Sequence, residues 1–421
     1  MSKTYDVAVI GGGASGIMAA IVAAEAGASV VLLEKNKRLG EKLRITGGGR
    51  CNITNAEENL RVLLKNYGKA EPFLYSAFSE FGVPETIDFF TESKLPIKIE
   101  ARNRAFPVSE KAADVVHALV NRLHRSGAVI MLQSPVTNIV RKEGKMQSIE
   151  TNGIAITAKS YILATGGTSK PETGSTGDGF SWLETIGHTV KSPTPNITPL
   201  ATIETWVSAV SGVTAKDVNI TFYGNNVSQF KLRGDVLFTH FGISGPLILN
   251  NAYKVADLLN SEAVTATIDL FPTIELKTLD QRVATLMNEN GTKMLKNFLP
   301  LCCPPGIAPA ILAQLQGAVP LETKCSEVTK ETRKLLVALL KNMHLTISHL
   351  MGFEKAVVAD GGVHLKEINM RTFQSLLLPN VFVTGDLLDI RRPSGGFSLQ
   401  LCWTSGYIAG KNAAKIASLL E

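Results

Sequence analysis

Gly11-Gly12-Gly13-Ala14-Ser15-Gly16 lies between an apolar run, Asp6-Val7-Ala8-Val9-Ile10, and a helix-forming stretch that reaches about Ala26. A second apolar run, Ser29-Val30-Val31-Leu32-Leu33, ends at Glu34. A GxGxxG pattern alone says little. Set between a strand and a helix, with an acid 18 positions after its last glycine, it specifies a βαβ unit that holds a dinucleotide. Gly11 allows the tight turn, Gly13 lets a pyrophosphate approach the backbone, and Gly16 lets helix and strand pack closely. The helix N-terminus offers free N–H groups to the phosphates. Glu34 can accept both ribose hydroxyls and would repel a 2′-phosphate, so NADP is not expected in this position. The 7–33 stretch carries Glu25 as its only charge and is long enough to suggest a membrane span. Its glycines cut it into strand, helix and strand, so no membrane partner is expected.

Composition narrows the class. Apolar residues make up 45% and charged residues 19%, the balance of a globular chain. A net charge of +6 over 421 residues is a weak bias, suited to an anionic cofactor or substrate but not to a nucleic-acid binder. The five cysteines (Cys51, Cys302, Cys303, Cys325 and Cys402) form no CxxC, and no metal site is expected. An odd count without an export signal points to the reducing cytoplasm. Cys302 and Cys303 are read as ordinary thiols rather than a vicinal disulfide.

Three later segments distinguish FAD from NAD. Tyr161-Ile162-Leu163-Ala164-Thr165-Gly166-Gly167 reads as a buried strand ending in a glycine turn. Pro379-Asn380-Val381-Phe382-Val383-Thr384-Gly385-Asp386 reads as another, ending in Gly-Asp. Ser394-Gly395-Gly396-Phe397 precedes a helix from about Leu399 to Ala414, whose N-terminus would stabilise negative charge on reduced flavin. Strand-turn-helix signals at both ends imply one domain built from both ends, with the middle inserted.

The blocks at 40–55 (GEKLRITGGGRCNITN), 104–114 (RAFPVSEKAAD), 164–187 (ATGGTSKPETGSTGDGFSWLETIG), 237–246 (LFTHFGISGP) and 361–410 span most of the chain. With them the sequence resembles a family of bacterial FAD-dependent oxidoreductases related to aminoacetone oxidase and the bile-acid dehydro-reductase BaiN. The resemblance implies an α/β fold: a Rossmann-like FAD-binding domain (1–190 plus 356–421), an inserted antiparallel β-barrel-like domain (191–274 plus 343–355) and a helical subdomain (275–342). It implies non-covalent FAD. The cofactor-binding residues expected from the motifs and the resemblance together are Gly11, Gly13, Ala14, Ser15, Gly16, Glu34, Lys35, Lys42, Gly48, Arg50, Cys51, Val136, Thr165, Gly166, Asp178, Gly385, Asp386, Gly395, Gly396 and Phe397. This chain has Asp386 where the family more often has Glu, and Gly-Gly-Phe-Ser where it more often has Gly-Gly-Tyr-Asn.

Several of these residues have two readings. Asp178, in Thr176-Gly177-Asp178-Gly179, resembles a cofactor-proximal turn of fumarate-reductase-like flavoproteins, and also reads as a helix cap. Arg50 can offset charge on the pyrophosphate or the reduced flavin. Cys51 lacks the second cysteine of a disulfide reductase and reads as packing.

From 191 to 355 the pattern changes. Alternating strands with a Gly224-Asn225-Asn226 hairpin turn give way to helical periodicity over 275–342. The substrate is expected where this insertion covers the flavin, with His240, Arg102, Arg104 and His364 as candidates. His240 suits a general acid, against the plainer reading of a ring bonded to local backbone. Arg104 suits an anionic substrate group, against an ordinary ion pair. Glu110 and Lys111 read as a solvated helix start.

The leading expectation is an FAD-dependent oxidoreductase passing hydride between flavin N5 and a small organic substrate, by C=C reduction or amine oxidation. No second GxGxxG is visible, so NAD(P)H would act only as a transient electron donor. The alternatives are an FAD-assisted tRNA-modifying enzyme and a non-catalytic flavin sensor or electron carrier. Oligomeric state, the substrate and the direction of electron flow are not legible.

Overall fold

The computed structural model describes residues 3–419. The chain divides into two compact units. One comprises the residues up to Pro195 and those from Val357 onward; the other is Asn196–Ala356. The sequence places these boundaries at 190/191 and 355/356.

The first unit is organised on a seven-stranded sheet. Val129–Met131, Val30–Leu33, Lys3–Ile10 and Ile154–Leu163 lie side by side, all parallel. Val7, Ala8, Val9, Val31 and Leu32 are fully buried. Such near-continuous apolar strands are what a sheet covered on both faces requires. Ile154–Leu163 is long enough to serve two neighbours on one edge. Its first half pairs antiparallel with Lys145–Thr151, the inner strand of a hairpin with Val136–Lys142. Its second half pairs parallel with Val381–Val383, which comes from near the end of the sequence. The glycine-rich turn at residue 11 and the late Gly-Asp turn at residue 385 therefore follow strands of the same sheet, at the same carboxyl edge.

A second contact joins the two ends. Helix Ala14–Glu25 lies against the terminal helix Phe397–Ser418, which runs past both limits read from the sequence. Gly406 and Gly410, one helical turn apart, are the points of closest approach. A Cβ on Gly406 would collide with the carbonyl oxygen of Ser15, and one on Gly410 with that of Ala19. The terminal helix also donates Trp403 Nε1–H to the Ile53 carbonyl at 2.9 Å. Its Gln400 amide bonds the Gly82 carbonyl and the hydroxyls of Thr86 and Thr404, while its Oε1 accepts from Thr54 at 2.6 Å. A buried polar side chain fully occupied in this way fixes one register for the helix.

The second unit contains a closed antiparallel barrel of Leu200–Thr202, Gly242–Ser244, Val227–Thr239, Thr214–Gly224, Val264–Asp269 and Met343–Leu350. Asn225 and Asn226, both at positive φ, make the two-residue turn between its longest strands. Helices Leu276–Glu289, Leu295–Cys302, Ala308–Leu315 and Lys330–Lys341 share one apolar core with it. Leu279, Phe298, Ile311 and Leu336 belong to the same cluster as Ile220, Phe222 and Ile268. The helical segment of 275–342 thus has no separate core. All five cysteines are free thiols, Cys302 and Cys303 included. No helix among the described residues is long and apolar enough to cross a membrane.

Gly410→Val should force the two helices apart. Overpacking of this kind costs about 1–3 kcal/mol, so the thermal unfolding midpoint should fall by several degrees. An unchanged midpoint would mean that the helices do not rely on this approach.

Candidate functional site

The strands Lys3–Ile10, Val30–Leu33 and Ile154–Leu163 end on one side of the sheet, and their following turns line a cleft. Its walls are Gly11–Ser15, Glu34–Asn36, Thr165–Gly166 and Thr173–Thr176, with Asp386 and the first turns of the terminal helix. The non-protein space along it, open solvent at its mouth included, is about 1220 Å³.

The glycines of the first turn do different work. Gly11 has φ +107°, and a Cβ there would lie 2.5 Å from the Ala164 carbonyl oxygen. A Cβ on Gly16 would overlap the Gly11 carbonyl oxygen. These two are fixed by packing. Gly13 has ordinary extended backbone, and a Cβ on it would meet no protein atom within 4 Å. It caps helix Ala14–Glu25 and lines the cleft, so a side chain there would take only the space that a phosphate needs.

Glu34 is buried. One carboxylate oxygen accepts the Gly12 N–H at 2.7 Å and the other the Asn36 N–H at 2.7 Å. A carboxylate offers about four acceptor positions. Two remain for ribose hydroxyls, and the backbone bonds hold the group still to receive them. Lys35 closes this end through Asp178 at 2.7 Å and the Thr176 hydroxyl. Burial would raise the Asp178 pKa, but bonds from Lys35 and Thr176 hold it below the usual range. Asp178 is the first residue of helix Asp178–Thr185, and Gly177 occupies the cap. The carboxylate is therefore spent on Lys35 and not on capping its own helix.

In the middle of the cleft stands Asp386. It is held by Lys42 at 3.4 Å and by Arg392. Arg392 is buried, and its other donors go to the Ile390 carbonyl at 2.7 Å and Ser398 Oγ at 3.2 Å. Burial alone would push the Asp386 carboxyl up; Arg392 first, then Lys42, outweigh that and keep it ionised below its ordinary range. Lys42 also donates to Ser169 Oγ at 2.6 Å. Behind the pair, burial and the Asp386 charge push the Cys402 thiol up to about 12.

Of the expected cofactor residues, Gly11, Gly13, Ala14, Ser15, Glu34, Lys35, Lys42, Val136, Thr165, Gly166, Asp178 and Asp386 line the cleft. Gly16 and Gly385 support it from behind. Gly385 has φ +62°, and its N–H donates to Ser405 Oγ at 3.0 Å. Gly395 and Gly396 have φ +116° and +104°, and Gly396 lies so close to the Thr54 backbone that no side chain fits. They turn the chain into the terminal helix but do not line the cleft, and neither does Phe397.

Gly48, Arg50 and Cys51 also fall outside the lining. Gly48 is on an exposed turn. Arg50 is not directed at the cleft: its guanidinium bonds Glu100 at 2.5 Å and Glu110 at 3.1 Å, and lies 4.1 Å above the Phe106 ring. Glu110, read from the sequence as solvated, belongs to this ion-pair cluster. Cys51 is fully buried at φ +60°, and burial pushes its thiol up to about 12. Such a thiol is neither nucleophile nor redox partner at neutral pH. His240 is in the barrel unit, in the turn after Val227–Thr239; its exposed ring meets Phe241 edge-on at 4.9 Å. His364 is exposed beside Leu365–Glu367. Arg104 donates Nε to the Ala101 carbonyl at 3.2 Å, and its guanidinium lies 5.7 Å from the centre of the Phe106 ring.

The sequence reading missed Arg392, which holds Asp386, and the lining residues Cys402 and Trp182; the 173–176 loop it reached only through the turn around Asp178. Arg392 was accessible in principle, because a buried carboxylate at 386 demands a cation and Arg391-Arg392 follows within six residues. Cys402 and Trp182 carry no signal short of the fold.

A family model described as the HI0933-like protein Rossmann domain matches residues 5–412. The chain belongs to this family. The 3-dehydro-bile acid delta(4,6)-reductase of Clostridium scindens is 29% identical over 414 residues, covering 97% of this chain and 99% of the relative. The ribosomal RNA dihydrouridine synthases of Haemophilus influenzae and Escherichia coli are 28% and 25% identical, each match covering 97% of this chain and 98% of the relative. Among solved structures, the 3-ketosteroid-delta4-(5alpha)-dehydrogenase of Rhodococcus jostii superimposes with a TM-score of 0.54 at 15% identity, covering 98% of this chain and 97% of that one. That likeness concerns the fold. The family is one of FAD-dependent oxidoreductases, and this chain is such an enzyme with non-covalent FAD. The cleft fits that cofactor: Glu34 has acceptors to spare, Gly13 leaves room for phosphate, and the buried Thr165 hydroxyl in the lining has no protein partner.

Gly13→Val should fold normally and lose FAD, read as loss of yellow colour through purification; full flavin occupancy would place the pyrophosphate elsewhere. Glu34→Ala should weaken FAD by about 1–3 kcal/mol, the scale of hydrogen bonds to a charged group. The lowered pKa of Asp386 means that its charge adds stability above the ordinary carboxylate range and loses it as pH falls through the lowered value. Arg392→Met strands that charge, at a cost of about 3–5 kcal/mol, and raises its pKa. The acid-unfolding midpoint should therefore move to higher pH, and an unmoved midpoint would show that Lys42 alone suffices.

Proposed function

We propose that the enzyme reduces a C=C bond conjugated to a carbonyl group. One observation carries this reading. The full-length relatives with named reactions act on different molecules but share a bond type. A delta(4,6)-reductase of a 3-dehydro bile acid saturates an alkene conjugated to the 3-oxo group. Making dihydrouridine saturates the uracil C5=C6 bond, conjugated to the C4 carbonyl. By conjugate-addition chemistry, hydride enters at the β carbon of an enone, or at the δ carbon for the outer bond of a dienone, and the neighbouring carbon of the saturated bond gains a proton.

Bound FAD supplies a two-electron carrier able to take up and deliver hydride. The chain's own residues hold and insulate it. Glu34 orients the ribose, and the first turn of Ala14–Glu25 receives the phosphates. Lys42 and Arg392 balance Asp386, so the cofactor's own negative charge is not added to an unpaired carboxylate. The first turns of the terminal helix reach the cleft through Ser398, Leu399 and Cys402. Its N-terminal partial charge favours the anionic, reduced state of a ring placed there. Cys402 stays protonated and takes no part in electron transfer. Reduced nicotinamide is the proposed source of the electrons, so the net change is unsaturated carbonyl plus NAD(P)H plus a proton giving saturated carbonyl plus NAD(P)⁺.

The substrate is proposed to be a small molecule, in line with a net charge of only +6. The second reading, uracil within RNA, is favoured by the two synthase relatives. Anaerobic stopped-flow tests both. Protein reduced with NADH or NADPH is mixed with a 3-oxo-delta(4,6) steroid, a simple cyclic enone, or unmodified ribosomal RNA. Reoxidation with a product two hydrogens heavier is the expected result. Reduction of the flavin by amines, with no reoxidation by any conjugated alkene, would replace the proposal with amine oxidation.

A further inference from the structure

The cleft has two distinguishable ends. Glu34, Lys35 and Asp178 mark the adenosine end. Thr46 and the first turns of the terminal helix mark the other. Gly47 follows Thr46, and a Cβ on it would lie 3.7 Å from the Phe106 ring. Phe106 belongs to a three-stranded sheet of Thr54–Asn55, Arg104–Pro107 and Ile97–Glu100. Asn55 fastens this sheet to the same end of the cleft, donating its side-chain amide to the Gly395 carbonyl at 3.3 Å and the Arg102 carbonyl at 3.2 Å.

The strands carry Lys98, Glu100 and Arg104, and the segments beside them Arg50, Arg102 and Glu110, with unequal provision. Arg50 and Lys98 are matched by Glu100 and Glu110. Glu100 is the cross-strand partner of Arg104, but it is already held by Arg50 at 2.5 Å and Lys98 at 3.2 Å. Arg104 donates Nε to the Ala101 carbonyl and its guanidinium lies 5.7 Å from the centre of the Phe106 ring, which leaves its terminal nitrogens without a hydrogen-bond partner among the described residues. Arg102 is exposed, and its guanidinium bonds no described residue. Arg102 and Arg104 are thus the guanidinium groups of this cluster that no carboxylate pairs among the described residues. The turn that presents them is held in an uncommon shape. Arg102 and Asn103 are both left-handed, at φ +63° and +55°. The Ala56 N–H to Asn103 carbonyl bond at 2.6 Å and the Asn55 bond pin the turn there. Two consecutive non-glycine residues in that region cost energy that a plain solvent loop would have no reason to carry.

We infer that Arg102 and Arg104 form an oxyanion clamp for the substrate, binding a carboxylate or phosphate that it carries outside its reacting bond. The inference rests on the cofactor end assignments and on the conjugated-alkene reading above. Paired guanidinium forks suit such groups better than ammonium does. Both named relatives act on molecules with an oxyanion remote from the reduced bond: a bile acid bears a carboxylate, and RNA bears phosphodiesters. The clamp is a positioning and specificity device, and it takes no part in moving hydride.

The test uses FAD-loaded protein and paired probes: a 3-oxo-delta(4,6) bile acid against its methyl ester, and an oligouridylate against uridine. Binding is followed without turnover, by perturbation of the oxidised flavin spectrum, so it stands apart from whether the alkene is reduced. Wild type should bind at least one charged probe more tightly than its uncharged counterpart, more so at low ionic strength. Arg102→Gln with Arg104→Gln should abolish that preference, weakening the charged probe by roughly tenfold or more and leaving the uncharged one, FAD affinity and the rate of reduction by NAD(P)H unchanged. In turnover the loss should appear in KM and not in kcat, with partial rescue by Arg104→Lys. Preference for the bile acid or for the oligouridylate identifies the source of the anion. Equal binding of charged and uncharged probes, no binding of either charged probe, or a variant that slows only reduction by NAD(P)H would each overturn the clamp. Failure to reduce any conjugated alkene, with charged-probe preference intact and lost in the variant, would sink the proposed reaction and leave the clamp standing.

Discussion

Backbone-to-backbone contact between helix Ala14–Glu25 and the terminal helix is the constraint on which the nucleotide unit depends. It is available only because Gly406 and Gly410 have no side chains to hold the helices apart. The approach sets where Gly385 sits relative to Ser15: Thr384 Oγ1 lies 3.2 Å from Ser15 Oγ, and Gly385 is anchored to Ser405. Asp386 then projects into the cleft opposite the first glycine turn. A wider helix spacing would carry the Gly-Asp turn away from the phosphate-binding turn, although neither would have changed in sequence.

Charge in the cleft is arranged in self-contained groups. Lys35 is balanced by Asp178, and Asp386 by Lys42 and Arg392. Taking such charges out of water is costly unless each meets a partner in good geometry. Lys35 and Lys42 come from segments far from their carboxylates in the chain, so those two pairs also report that the fold is complete. The small sheet around Phe106 differs, since Arg102 and Arg104 beside it have no carboxylate partner among the described residues. That contrast separates groups that build the cofactor site from groups free to meet something else.

Much of the nucleotide unit was legible because its signals are local. A strand, three glycines, a helix and an acid at the next strand end follow each other within 34 residues, and each has one physical job. The joining of both chain ends was legible from repeated strand-glycine endings near residues 166 and 385. What stayed hidden depends on side-chain direction. Arg50 looked like a phosphate ligand because it follows a glycine run, yet Glu100, Glu110 and the Phe106 ring claim it, and nothing within GGGRCN announces those partners. Asp178 had two readings, a cofactor-proximal turn and a helix cap; it lines the cleft, and the partner that holds its carboxylate there, Lys35, stands 143 residues earlier. The helical stretch of 275–342 looked separate because its period differs from the barrel's, whereas burial follows apolar faces and ignores a change of period.

The wide separation of the parts that grip the cofactor also bears on biosynthesis. Ser15 and Thr384 touch although they are 369 positions apart in the chain. A chain emerging from the ribosome shows its phosphate-binding turn early, but the opposite wall, with Asp386 and Arg392, arrives only after the whole barrel unit has been made. Domains complete themselves in the order of synthesis, so the barrel can be finished while the flavin unit is still waiting for its last strand and helix. Capture of FAD is thereby deferred until the segment that carries Asp386 and Arg392, beyond the barrel unit, has been made.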